Sequence, residues 1–270
     1  MAFGRRRREE GSAAEPVEAA ESTESTEAPE TVSGDGGPWD AAEDTVPELE
    51  RLDFGSLQVP IGPGVEVQVN LEPSEFDAEG NPVGGRIVAI TVIAGESSMQ
   101  LQALAAPKRS GIWDELRKEL AAEITENAQG QTQEADGPFG TELHAMVPAQ
   151  LTAEMLAEMP EEVRAQIPQE IIDQGYAWQP LRFLGVDGSR WFLRAVVSGA
   201  AVQDEEQWQF LEDLFRQVVV VRGEHPMPPR ELLELTLPAE AQQAFAAQQD
   251  EDDEDGFNPF ERGPEITEIR

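Results

Sequence analysis

Apolar and polar side chains alternate along residues 65–71, where four aliphatic residues at odd positions are separated by polar ones. A period of two is typical of a β-strand with one buried and one wet face. Residues 86–94 then form a nearly continuous β-branched run, and residues 98–105 alternate again after Gly95-Glu96-Ser97. The pattern predicts a three-stranded antiparallel meander.

Two later segments repeat apolar residues every three to four positions, as an amphipathic helix does. Residues 110–129 have Ser110 as a candidate N-cap and Gly130 as a stop, and residues 204–217 have Asp204 as a cap with Gln207 placed as in a capping box. The predicted buried stripes are Ile112, Trp113, Leu116, Leu120 and Ile124 in the first helix, and Trp208, Leu211, Leu214 and Phe215 in the second.

The region between these helices begins with a glutamine-rich segment that we expect to be a loop. It leads through Gly137-Pro138-Phe139-Gly140 into a predicted strand at residues 141–147. Residues 150–174 are expected to form short helices broken at Pro160 and Pro168, because proline disrupts a helix interior.

The clearest local signal is a hairpin around Asp187-Gly188, flanked by apolar runs at residues 181–186 and 189–197. This dipeptide readily adopts the positive φ angles of a two-residue type I′ turn. A turn there predicts that Phe183 lies opposite Phe192 and that Leu184 lies opposite Trp191.

We therefore expect an α+β fold with a single, largely antiparallel sheet and two main helices packed on one face. A strand at residues 218–221 and leucines between 232 and 237 complete it. The predicted organisation is a disordered acidic arm at residues 1–50, a globular domain at 51–239 with a helical excursion at 150–174, and a disordered acidic tail at 240–270.

Charge supports these boundaries, since the chain has 54 acidic residues against 19 lysines and arginines, a net charge of −35. Residues 1–50 carry 14 acidic residues and four arginines, and residues 240–270 carry ten and two. Such segments bury too little apolar area to offset the entropy of ordering. A surface this negative disfavours nucleic acid and anionic membranes and favours basic protein partners or metal cations, and solubility alone is the alternative.

Several classes of chemistry lack the residues that they require. The chain has no cysteine, which excludes disulfides and thiolate metal sites and fits a reducing cytoplasm. Phosphate-loop, dinucleotide-binding, zinc-protease and hydrolase motifs are missing, and His144 and His225 are too few for a typical imidazole zinc site. We expect no cofactor, no metal and no membrane span.

The arginines beside glycine, proline or aromatic residues form the most suggestive pattern. Guanidinium groups hold carboxylates or phosphates, and aromatic rings stack on planar groups. Pairing with the domain's own acidic residues is the alternative. The candidate ligand-binding residues are Arg190, Phe192, Arg194, Arg222 and Arg230.

A second candidate lies in the tail beyond the acidic block at residues 250–255. Apolar residues that punctuate an acidic segment can form a docking motif that folds on a partner, although an inert tail is the alternative. The candidate docking residues are Phe257, Phe260, Ile266 and Ile269.

The sequence is compatible with three function hypotheses. The leading one is a non-catalytic binding or adaptor protein, with a chaperone-like role as one version. The alternative is a domain that binds an anionic small molecule or nucleotide through the arginine and aromatic surface, with an enzyme as one version. Nucleic-acid binding by that surface is the least favoured, because the dense negative charge opposes it.

The combination of three stretches resembles an actinobacterial family known as domain of unknown function 3710, over roughly residues 52–238. The resemblance implies a cytoplasmic protein of a high-GC Gram-positive bacterium, and it supplies no activity, cofactor or catalytic residue. The stretches are Gly137-Pro138-Phe139-Gly140, residues 182–194 from Arg182-Phe183-Leu184-Gly185 to Arg194, and residues 219–230 from Val219 to Arg230.

Overall fold

The computed structural model describes residues 36–42, 45–76, 82–159, 161–165, 167–239 and 241. Its strands are β1 (Trp39–Asp40), β2 (Arg51–Asp53), β3 (Leu57–Pro60), β4 (Val65–Phe76), β5 (Pro82–Ala94), β6 (Ser97–Ala105), β7 (Gln131–Gly137), β8 (Gly140–Gln150), β9 (Tyr176–Asp187), β10 (Trp191–Gly199) and β11 (Val219–Val220). Its helices are α1 (Trp113–Glu126), α2 (Ala153–Glu158), α3 (Glu161–Arg164), α4 (Gln169–Gln174) and α5 (Glu205–Arg216), with a 3-10 turn at Ala200–Val202.

A seven-stranded antiparallel sheet forms the centre of the molecule, in the order β4-β5-β6-β10-β9-β8-β7. Its first three strands are the predicted meander. The expected loop after α1 is wrong, because its residues form β7 and pair with β8 from Gln131↔Met146 to Gly137↔Gly140. This edge strand has mostly exposed side chains, so it lacks the alternation by which strands are recognised.

A second, four-stranded sheet in the order β1-β11-β3-β2 corrects the expectation of a single sheet. Its strands have two to four residues, too short to show a period in the sequence. The parallel pairing of β1 with β11 draws residues before position 51 into the fold, and Asp40 is buried there. The fold thus begins before the predicted boundary.

The two longest helices pack on opposite faces of the large sheet, which corrects the expectation that both lie on one face. Consecutive residues of a strand point to opposite faces. On β10, Phe192 belongs to the apolar cluster under α1, whereas Trp191 and Leu193 belong to the larger cluster under α5. Both faces of the central strands are therefore buried.

The β9–β10 hairpin turns two residues later than predicted. Gly188 N donates to Trp191 O over 2.9 Å, so Ser189 and Arg190 form the turn, and Phe192 lies opposite Asp187. The predicted pairs of Phe183 with Phe192 and Leu184 with Trp191 are wrong. A shift of two residues preserves the face on which each side chain lies, because the period of a strand is two.

The turn is displaced because the Asp187 side chain caps helix α1. Its Oδ1 and Oδ2 accept hydrogen bonds from the backbone N–H groups of Ile112 (2.8 Å) and Trp113 (3.3 Å) at the start of α1. The predicted Ser110 cap is wrong, since the helix begins at Trp113 and is capped from a distant strand. The other predicted cap is confirmed, because Asp204 Oδ1 accepts from Gln207 N at the start of α5.

Candidate functional site

The predicted arginine and aromatic surface does not form as one exposed site. Phe192 has none of its surface exposed, and its ring stacks on Trp113 with centroids 5.7 Å apart and planes at 25°. It fills the core beneath α1 and is closed to any ligand. The structure therefore places Phe192 in the core and not on an exposed surface.

Arg194 lies on the same face of the sheet as Phe192 and is half-buried. Its guanidinium donates to the side-chain oxygen of Gln102 on the neighbouring strand, and its Nε is buried without a partner in the described part of the chain. Burial lowers the pKa of Arg194 from its ordinary value. Arg194 therefore contacts a neighbouring strand, on the sheet face that also carries Phe192.

Arg230 is held in ion pairs by helix α1. Its guanidinium donates to Glu119 Oε2 over 3.0 Å and lies 2.7 Å from Glu115 Oε2. Hydrogen bonds to these two carboxylates raise its pKa. The alternative to ligand binding, pairing with the domain's own acidic residues, applies at this position.

Arg190 and Arg222 are in contact, through the side chain of Arg222 and the backbone carbonyl of Arg190. Arg222 Nε donates to Arg190 O over 2.9 Å, and Arg222 Nη1 donates to His225 O over 3.1 Å. Arg190 itself is exposed and has a φ of 67° in the turn. Of the five predicted residues, these two adjoin each other, and neither lines the cavity of about 120 Å³ at the start of α1. The structure thus brings Arg190 and Arg222 together and holds Arg194 and Arg230 in other contacts.

The glycines around Asp187 have structural roles that sequence reasoning missed. An added Cβ at Gly185 would lie within 3.0 Å of the Trp113 ring, and one at Gly188 within 3.0 Å of the Trp191 ring. Trp113 and Trp191 lie on opposite faces of the sheet. Because Gly185 and Gly188 have no side chain, each leaves room for one of these rings. The segment from Gly185 to Gly188 thus packs against the core and caps α1.

A buried ionic cluster joins β8, β9 and α5. Glu142 is 1% exposed, and its Oε2 accepts from Arg182 Nε over 2.5 Å. The Arg182 guanidinium lies 3.4 Å from the centre of the Trp208 ring, and His144 Nε2 approaches the same carboxylate oxygen at 3.4 Å. Among the residues that the structure describes, Glu142 Oε1 has no partner. This oxygen packs against Gly137, and we therefore assign the cluster a role in stabilising the fold.

The strongest candidate site is a groove of about 670 Å³ on the outer side of α5, which we call the α5 groove. Helix positions four and three residues apart place Glu206, Phe210 and Asp213 on one stripe, away from the stripe that packs on the sheet. The opposite wall is the β5–β6 turn. The lining residues are Pro63, Gly64, Ala94, Gly95, Glu96, Glu206, Gln207, Gln209, Phe210 and Asp213.

Hydrogen bonds fix the two walls of the α5 groove relative to each other. Ser97 Oγ donates to Gln207 Oε1 over 2.7 Å and accepts from Ala201 N over 2.9 Å. Ala200 N also donates to Glu96 O, and Gly199 at φ 82° leaves no room there for a side chain. The β5–β6 turn and α5 are thus held as one preformed surface.

The α5 groove combines negative charge with an exposed aromatic ring. Phe210 is 44% exposed, and Glu96, Glu206 and Asp213 surround the groove with no lysine or arginine among its lining residues. Within the described ranges, none of these three carboxylates forms an ion pair. The groove therefore offers one apolar contact inside three unpaired negative charges.

Sequence reasoning missed this groove, although it placed α5 correctly. Phe210 falls outside the apolar stripe of the helix, and an aromatic residue at a polar position was the available signal. Glu96 contributes from a turn 110 residues earlier, and no local pattern connects it to α5.

A second groove, of about 620 Å³, lies between the end of α1 and the start of β9. Tyr176 and Trp178 form an edge-to-face pair there with ring centroids 5.9 Å apart, and Trp178 is 43% exposed. Its remaining walls are amide, glycine, alanine and proline residues without charge. It is an uncharged surface on the acidic domain, and it provides a comparison for the α5 groove.

Two other predictions concern regions beyond these sites. The docking residues Phe257, Phe260, Ile266 and Ile269 lie outside the described residues. In the part of the chain that the structure describes, no helix is long and apolar enough to cross a membrane.

Comparison with known proteins places the chain in a family. No curated protein and no solved structure matches it significantly. A family described as "Protein of unknown function (DUF3710)" matches residues 37–244. The match begins before the boundary expected from the resemblance, and it includes the strand β1. The chain belongs to the DUF3710 family.

Proposed function

We propose that this domain is a non-catalytic binding module that takes a basic segment of a partner protein, with one apolar side chain, in the α5 groove. The observation that carries the proposal is the exposed Phe210 ring set among three carboxylates that lack ion-pair partners in the described structure. Such a groove complements a segment in which arginine or lysine flanks an aromatic or aliphatic residue.

The size of the groove and its charges set the expected strength of binding. A volume of about 670 Å³ is within the range of ordinary binding sites. Each exposed ion pair contributes about 0.2–1 kcal/mol, and burial of one large apolar side chain contributes about 1.5–3 kcal/mol. Three ion pairs and one apolar contact sum to at most about 6 kcal/mol, and association and side-chain ordering reduce this gain, so we expect weak binding with dissociation constants of roughly 0.1 mM to 1 mM.

The test uses a fluorescent peptide of one phenylalanine followed by four arginines, titrated with the chain from Glu9 onward, which lacks the four consecutive arginines at residues 5–8. Phe210→Ala is expected to weaken binding about tenfold, because it removes the apolar contact, which corresponds to about 1.4 kcal/mol. The matched control is Trp178→Ala, which removes an equally exposed aromatic residue from the uncharged groove and should leave the affinity unchanged. Equal losses in both variants would refute the assignment to α5.

A partner-docking role for the tail remains part of this proposal, through Phe257, Phe260, Ile266 and Ile269. A tail that docks on one protein while the α5 groove holds another would make the chain an adaptor. The test compares the defined partners of the full chain with those of a chain that ends at Ala239. Identical partners at equal affinity would refute the role of the tail.

A further inference from the structure

The chain carries its own segment with the chemistry that the α5 groove selects. Four of its 19 lysines and arginines are consecutive, at residues 5–8, and an aromatic residue, Phe3, precedes them. The segment Met1-Ala2-Phe3-Gly4-Arg5-Arg6-Arg7-Arg8 thus combines one large ring with four positive charges. The three groove carboxylates and Phe210 are its complement in sign and in kind.

The described chain enters the domain beside the end of α5. A Cβ added to Gly36 would lie 3.0 Å from Arg216 Nη1, and Trp39 N donates to Val218 O over 2.9 Å. Arg216 is the last residue of the helix, and Asp213 lies one turn before it. The segment that precedes Gly36 is therefore connected next to the groove.

The connection is long enough for residues 1–8 to reach the groove. Helix α5 has 12 residues and is about 18 Å long at 1.5 Å per residue. Residues 9–35 number 27, and 27 residues reach at most about 90 Å when fully extended, several times the length of the helix. A tether that spans the two sites gives an effective concentration of the order of millimolar, which equals or exceeds the dissociation constants expected for the groove.

We propose that residues 1–8 occupy the α5 groove of their own chain, with Phe3 against Phe210 and the arginines beside Glu96, Glu206 and Asp213. The segment competes with a partner's basic segment, so a partner binds only when it displaces the chain's own arginines. This inference rests on the proposed function of the same groove. The arm's own acidic residues, of which Glu9 and Glu10 are nearest, are the competing partners for these arginines.

The absence of cysteine permits a direct test in the full-length protein. A nitroxide attached to the variant Ala2→Cys broadens the amide NMR signals of residues that it approaches. We expect selective broadening at residues 95–96 and 206–213, with none at Tyr176 and Trp178. Replacing all four arginines at positions 5–8 with glutamine should abolish it, and so should 1 M salt, where the Debye length is about 3 Å.

Broadening that is uniform over the domain, or that persists in the glutamine variant, would overturn the inference. So would its absence, which is the outcome if the arginines pair with Glu9, Glu10 and other acidic residues of the arm.

A second measurement separates this inference from the proposed function. Deleting residues 1–8 should raise the affinity for the phenylalanine–arginine peptide about tenfold, because the competitor is lost. Peptide binding at equal affinity in both chains, without selective broadening, would sink self-occupancy and leave the partner site standing. Selective broadening in a chain that binds no peptide in either form would establish self-occupancy and reject the partner site.

Discussion

At the scale of single residues, Asp187 connects two distant parts of the chain. Its carboxylate accepts the backbone N–H groups of Ile112 and Trp113, so it caps α1 across 75 positions of sequence. A side-chain cap typically contributes about 1 kcal/mol, and one that also joins helix to sheet should contribute at the upper end of 0.5–2 kcal/mol.

Replacing Asp187 by alanine should lower the free energy of unfolding by about 1–2 kcal/mol, because two N–H groups lose their acceptor. Urea denaturation followed by circular dichroism measures the change. Ser110→Ala is the matched control, since Ser110 lies at the cap position predicted from sequence and is exposed. If Ser110→Ala cost as much as Asp187→Ala, the assigned cap would be wrong.

The same carboxyl should give the stability a specific pH dependence. Burial raises the pKa of Asp187 above its ordinary value of 3.8, although the bonds from Ile112 and Trp113 oppose the shift. The folded state therefore binds the proton more tightly than the unfolded state. The contribution of this group is largest below pH 3.8 and is lost as the pH rises through the raised pKa.

The measurement subtracts the unfolding free energy of Asp187→Asn from that of the native protein between pH 3 and pH 7. The difference should fall as the pH increases. A difference that rises with pH would mean that the folded protein lowers this pKa.

Gly185 sets the distance between α1 and the sheet. Gly185→Ala should destabilise the protein by about 1–3 kcal/mol, because the methyl group would overlap the Trp113 ring. Gly62→Ala is the control, since a Cβ there meets nothing within 4 Å. The two variants should differ clearly in thermal unfolding, and equal melting temperatures would contradict the packing described.

At the scale of elements, the cluster of Glu142, Arg182 and Trp208 ties α5 to the large sheet. Arg182→Met should destabilise the protein by about 3–5 kcal/mol, because it leaves the Glu142 carboxylate buried without its cation. Arg86→Met removes an exposed pair with Glu72 and should cost less than about 1 kcal/mol. A small effect of Arg182→Met in chemical denaturation would show that the carboxylate finds another partner.

Elements with a long period could be predicted from the sequence, and short or polar ones could not. The meander and α5 follow from alternation and helical spacing over many residues. Strands β1 and β11 have two residues each, and β7 has a polar surface, so their pairing is decided by tertiary contacts. Both helices could be placed on the chain, but the face of the sheet that each covers depends on connections without local signals.

The surroundings of the candidate ligand residues could not be predicted from the sequence for a related reason. Residue type and alternation put Phe192 and Arg194 on the same face correctly, but they carry no information on what covers that face. Helix α1 covers it, so residues chosen as a ligand surface became core and sheet contacts. The α5 groove joins a helix to a turn about 110 residues away, and only the fold brings them together.

At the scale of the whole molecule, the net charge of −35 does not show which carboxylates are engaged in ion pairs and which are available to a basic segment. Pairing within the domain engages Arg117, Arg182 and Arg230 with carboxylates of neighbouring elements. The carboxylates of the α5 groove have no such partner among the described residues. They are the part of the acidic surface that a basic segment, from a partner or from residues 5–8, would neutralise.

The most direct test of a binding site at α5 is the salt dependence of peptide binding, measured with the phenylalanine–arginine peptide and the chain from Glu9 onward, in which residues 1–8 cannot compete. The comparison is between Glu96→Gln/Glu206→Gln/Asp213→Asn and the control triple Glu126→Gln/Glu154→Gln/Glu234→Gln, at exposed acids that form no ion pair with another described residue. Both triples change the net charge equally. The groove triple should weaken peptide binding about tenfold and remove most of its salt dependence. The control triple should keep both the affinity and the salt dependence. Equal losses in the two triples would show that the peptide responds to overall charge, and would contradict a binding site at α5.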